Sequence, residues 1–120
     1  MEYKFRGFDA TGQKGWVYGD LVHNQKVTRT GLEPRVMVGG YEVVPESVGV
    51  WIGSKDGNGK PIYVGDIVCV ASNKKHLVVV SYDEEKCCFI GVGKERSLDY
   101  DFCKFGSLIV NVVGNAFQGL

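Results

Sequence analysis

Apolar positions along the chain gather in short β-branched and aromatic runs, broken by Gly, Asn and Asp, and no long window keeps a helical period. That punctuation, recurring at intervals of about ten residues, predicts an all-β chain. The first strand is expected from Tyr3 to Phe8, with Tyr3 and Phe5 on one face and Lys4 and Arg6 on the other. "DATGQKG" turns the chain and "WVYGDLV" (Trp16 to Val22) returns it. Asn24 to Pro34 is polar and lacks period, so it reads as a loop. "RVMV" and "YEVV" flank Gly39-Gly40, a two-residue hairpin connection in which both glycines can take positive φ. Pro45 ends that hairpin, and "SVGVWIG" supplies the next strand.

In the second half, "PIYVGDIVCV" is a strand interrupted at Gly65-Asp66. "HLVVVSY" and "CCFIGV" form a hairpin across the acidic turn "DEEK". "ERSLDYDFCKF" is ambiguous between loop and a short helix, with Leu98, Phe102 and Phe105 at helical spacing and Ser97 as a candidate cap. "SLIVNVVG" closes the chain as a nearly continuous apolar run, the pattern of a strand buried on both faces.

The stretch "GSKDGNGKPIYVGDIVCV" superficially resembles a phosphate-binding loop. Such a loop needs G-x-x-x-x-G-K-[ST] between a strand and a helix, so that backbone N–H groups ring the phosphates. Here five residues separate Gly53 from Gly59, and Pro61 stands where the hydroxyl should be. A strand pattern follows, leaving no helix N-terminus to face an anion. Asp56-Gly57 and Asn58-Gly59 are instead successive turn dipeptides, and Gly65-Asp66 marks a tight bend whose carboxylate can accept nearby N–H groups.

Composition narrows the function. Fourteen basic and fourteen acidic side chains cancel, which argues against a non-specific DNA binder. "MEYKFRGFD" places charges where a signal peptide needs an apolar run, and no stretch approaches a membrane span; a cytoplasmic protein with no membrane partner is expected. Cys69, Cys87, Cys88 and Cys103 lack CxxC or zinc-ribbon spacing. Cys87 and Cys88 are expected to point to opposite faces of one strand, and all four to be buried free thiols, so no metal and no cofactor are expected. His23 and His76 have no local partner for nucleophilic catalysis, and Asp83, Glu84 and Glu85 read as a solvated turn.

One constellation could act outside the core. Tyr3, Lys4, Phe5 and Arg6 interleave aromatic and basic residues, with Trp16 and Tyr18 on the following strand. Such a surface can stack bases or grip a peptide.

The segments "YKFRGFD", "GWVYGDLV", "VGVWIGSKDGNGKPIYVGDIV", "VVVSYDEEKCCF" and "VVGNAFQG", taken in order, resemble the YopX family of phage and prophage proteins. Trp51-Ile52 departs from the family's usual Tyr-Thr, and Pro61 and Val64 replace charged residues. The resemblance implies an all-β fold and a mobile-element origin, and it places no active site on these residues.

The expectation is therefore an all-β chain with at most one short helix. Residues 1–48 would form an N-terminal β subdomain and residues 49–120 a small SH3-like, partly open barrel. The expected role is a non-enzymatic accessory protein of a phage or prophage, working in the bacterial host cell through protein contacts, with homo-oligomers among them. The alternative is a single-stranded nucleic-acid-binding module using the aromatic and basic N-terminal residues.

Overall fold

The computed structural model describes residues 4–119. Among them are twelve strands, one four-residue α-helix and two 3-10 turns, so the all-β expectation holds. No helix of these residues is long and apolar enough to cross a membrane. The chain divides into two compact units, Met1–Val50 and Trp51–Leu120.

In the first unit, β1 (Phe5–Phe8) pairs antiparallel with β2 (Trp16–Gly19) and with the start of β6 (Gly49–Lys55). Asp9 builds the β1–β2 turn by accepting the backbone N–H groups of Thr11 and Lys14 and the Thr11 hydroxyl. Asp20 alone separates β2 from β3 (Leu21–Thr28), which forms a three-stranded antiparallel sheet with β4 (Gly31–Val38) and β5 (Tyr41–Glu42). Gly39 and Gly40 both have positive φ, 59° and 87°, as the hairpin reading requires. Val17, Val38 and Val43 form the buried core, with Phe5, Leu21, Val36 and Val48 packed around them.

One expectation fails here. Asn24 to Pro34 is not a loop but most of a β-ribbon, registered from Leu21↔Val38 to Thr28↔Gly31. Period-2 alternation reports a strand with one buried face, and most of this ribbon buries neither. Pro34 is tolerated because β4 reaches β5 only at Met37 and Val38, which leaves one side of the strand without a neighbour.

The second unit is an open antiparallel sheet in the order β11-β10-β9-β8-β12. Its strands are β8 (Asp66–Val70), β9 (Asn73–Asp83), β10 (Cys88–Val92), β11 (Tyr100–Asp101) and β12 (Val110–Asn115), with β7 (Pro61–Tyr63) pairing to the end of β6. The two edges, β11 and β12, do not pair, so the expected barrel is an open sheet. Ile62, Val68, Val70, Val78, Val80, Tyr100, Phe102 and Val110 form its core.

The ambiguous segment resolves into a 3-10 turn, β11 and α1 (Phe102–Phe105). Asp101, not Ser97, caps the helix, its carboxylate accepting the N–H groups of Cys103 and Lys104. The final apolar run is not buried on both faces. Leu108 and Ile109 are exposed before β12 begins, and Val113 is exposed within it. A run of apolar letters records composition, whereas the register with β8 decides which of them point inward.

The segment after Lys60 is β7, as the turn reading requires. Asp56 is 3% exposed. Its Oδ1 accepts the N–H groups of Asn58 and Lys60, and its Oδ2 accepts that of Val112 on β12. Gly59 has φ +83°, a conformation cheap only without a Cβ. Gly57 is glycine for a different reason, because a Cβ there would lie 2.6 Å from the Leu108 carbonyl oxygen. At Gly65 (φ 98°) the chain bends so that Tyr63 N–H donates to Asp66 Oδ2 at 2.8 Å, the role the sequence assigns to that carboxylate.

Burial pushes the Asp56 carboxyl up, but the N–H donors of Val112, Lys60 and Asn58 and the Lys60 ammonium outweigh it and hold it below the usual carboxylate range. The stabilisation is therefore present in full above the unfolded value, about 3.9, and is lost as the pH falls through the lower folded value. Asp56→Asn turns one acceptor into a donor facing backbone N–H groups and is expected to cost about 2–3 kcal/mol at neutral pH. Urea denaturation across pH should show that difference constant above about pH 5 and shrinking below about pH 4.

Candidate functional site

The β1–β2 register sorts the aromatic and basic residues singled out in the sequence. Arg6 lies opposite Tyr18 and Phe8 opposite Trp16, so Lys4, Arg6, Phe8, Trp16 and Tyr18 share one sheet face. Phe5 is on the other face and packs against the Val17–Val38–Val43 core. Tyr3 lies outside the described residues. The structure thus brings together Lys4, Arg6, Trp16 and Tyr18 and assigns Phe5 to the interior.

Arg6 is not the solvated cation its alternation with Phe5 implies. It is 7% exposed, and its guanidinium sits 4.5 Å from the centre of the Trp16 ring. Trp16 in turn meets Phe8 edge to face, with centroids 5.5 Å apart. This is a cation–π stack held inside the fold. Lys4 is exposed and Tyr18 is 57% exposed. An accessible surface therefore survives only at the flanks of the patch.

A second exposed feature, which the polar pattern of the sequence hides, is the tip of the β3–β4 ribbon. Val27 and Leu32 face each other across the two strands and are 84% and 64% exposed. The Arg29-Thr30 turn joins the strands, with the Thr28 hydroxyl donating to the Gly31 carbonyl and accepting from Thr30 N–H. Below the tip, Lys26 pairs with Glu42 at 2.8 Å and Arg35 Nε donates to Asn24 Oδ1 at 2.6 Å. Arg29 at the apex is exposed. The signal that could have exposed this element is the pair of β-strand-prone flanks around Thr-Arg-Thr-Gly, masked by the polar letters between them.

The cysteines also depart from expectation. Only Cys69 is buried; Cys87 and Cys103 are exposed and Cys88 is intermediate. Cys87 is not in a strand but closes the "DEEK" turn with φ +52°, and Asp83 Oδ1 accepts the Glu85 and Lys86 N–H groups there. Partial burial pushes the Cys88 thiol up, and the neighbouring Cys103 thiol and the Asp101 carboxylate push it further. His76 engages the Leu98 carbonyl at 2.7 Å through Nε2, and His23 is exposed on the ribbon.

Compared with known families, residues 4–119 match the family described as YopX protein. A search of curated proteins finds no match.

Stacking assigns Arg6 a measurable share of the first unit's stability. Arg6→Ala should lower it by about 2 kcal/mol, combining the lost cation–π contact with the lost packing of the side-chain stem. Urea denaturation followed by tryptophan fluorescence reads this. A surface cation gripping solvent would change stability by less than about 0.5 kcal/mol.

Proposed function

The chain belongs to the YopX family, and from that premise we propose a non-enzymatic accessory protein of a phage or prophage that acts in the cytoplasm of its bacterial host by gripping another protein. The observation that carries this reading is the exposed Val27–Leu32 pair at the end of the β3–β4 ribbon. Burying a valine or leucine side chain is worth about 1.5–3 kcal/mol, a gain that folding of this chain leaves largely uncollected.

The ribbon suits protein contact in two ways. Its tip offers two exposed aliphatic side chains to bury and the exposed Arg29, a residue type enriched at contact centres. Strand β3 is also an edge of its sheet, able to pair with a strand of a partner or of a second copy. Phosphate gripping by the N-terminal residues has weaker support, because Arg6 is covered and stacked on Trp16.

Val27→Lys combined with Leu32→Glu, an opposite-charge pair across the ribbon, tests the reading. Both positions are exposed, so stability should stay within about 0.5 kcal/mol of wild type. A photo-crosslinking residue at position 29 should capture a discrete protein, or a second copy detected also by light scattering, and the double substitution should abolish that capture. A reproducible turnover activity with unchanged crosslinking in the double variant would overturn the proposal.

Oligonucleotide titration gives a separate expectation. No single-stranded DNA or RNA should bind with the steep salt dependence of phosphate contacts, even at low ionic strength. Salt-sensitive binding lost in Lys4→Ala would favour the nucleic-acid reading instead.

A further inference from the structure

Three side chains from two separate stretches of the sequence meet at one end of the second unit's sheet. Cys88 opens β10, Asp101 ends β11 and Cys103 lies in the first turn of α1. Their thiol sulfurs and a carboxylate oxygen all lie within 4.8 Å of one another. We propose that Cys88, Asp101 and Cys103 form a site for a thiophilic divalent cation, with Zn2+ as the fitting ion.

The three ligand atoms are close to the spacing a bound cation would need. Zn–S bonds of about 2.3 Å at tetrahedral angles place two sulfurs about 3.8 Å apart, so ligation requires closure of an ångström or less. Two thiolates select Zn2+ or Cd2+ over Mg2+ or Ca2+, which prefer oxygen. Two cysteine ligands and one carboxylate leave a fourth position for water. Binding balances as one divalent cation taken up and two thiol protons released to solvent.

Local structure fixes the ligands before any ion arrives. Ile90↔Asp101 pairing holds β11 on β10, two residues from Cys88. Asp101 accepts the Cys103 and Lys104 N–H groups through Oδ1, which orients the carboxylate and ties it to the residue carrying the second thiol. Asp101 also lines a polar cleft of about 460 Å³ with Asp83, Lys86, Arg96 and Asp99, so this side of the cluster borders solvent. Cys103 is itself exposed.

The experiment is a titration of the reduced full chain with Cd2+, read by the ultraviolet thiolate-to-metal charge-transfer band, followed by Zn2+ competition against a chromophoric chelator. One equivalent should saturate the band. Cys88→Ser and Cys103→Ser should each weaken Zn2+ binding at least tenfold and reduce the band. Asp101→Asn, which preserves helix capping, should keep the fold by circular dichroism and weaken Zn2+ at least tenfold. Cys87→Ser, one residue away on the exposed turn, and Cys69→Ser should bind as wild type. No band at one equivalent, or a band that survives Cys103→Ser and falls with Cys87→Ser, overturns the site.

Discussion

The second unit depends on one buried carboxylate. Asp56 closes its own turn through Asn58 and Lys60 and reaches Val112, 56 residues later, with its other oxygen. Gly57 N–H donates to the Val110 carbonyl and the Ser107 hydroxyl to the Lys55 carbonyl, so the turn and the entry to β12 are fastened at several points. β12 is an edge strand whose neighbour in the sheet is β8. The Asp56 latch adds a side-chain hold on that ladder, which is itself irregular between Val112 and Gly114. A local turn residue thus becomes the long-range constraint that sets the edge of the sheet.

Turn chemistry was the legible part of this sequence because it is local. Asp56, Gly59, Gly39-Gly40 and Gly65-Asp66 act within a few residues of themselves, and each occupies the conformation its residue type favours. Even there, the reason for Gly57 was hidden. Its backbone approaches Leu108, and nothing nearby in the chain announces that neighbour. The misread parts share the opposite property. The β3–β4 ribbon carries no alternation because much of it faces water on both sides. Arg6 alternates like a solvent residue, yet Trp16 on the partner strand covers it. Cys88 and Cys103 are unremarkable by spacing, and only the β10–β11 pairing and the Asp101 cap bring them together.

The patch chosen from sequence and the element chosen from structure lie in the same unit, and energetics separates them. Trp16 and Arg6 already satisfy one another, so a ligand contacting them would have to compete with an existing stack. Val27 and Leu32 touch mainly water, so a ligand there displaces solvent alone. Recognition gains most where folding has left apolar area uncovered.

The ribbon's own stability follows from the same accounting. A two-stranded hairpin without a buried face is marginal in water, and among the described residues the first unit's buried apolar core is Val17, Val38 and Val43. The distal ribbon therefore rests on cross-strand pairs, on Lys26–Glu42 and on the Thr28 turn, each worth at most about 1 kcal/mol. Its local opening free energy is correspondingly small compared with that of the core strands. A partner that buries both aliphatic side chains adds on the order of 4 kcal/mol, comparable with everything holding the tip together. On the proposed reading, a partner seated on the tip would therefore hold the ribbon in its paired form as well as bury the two side chains.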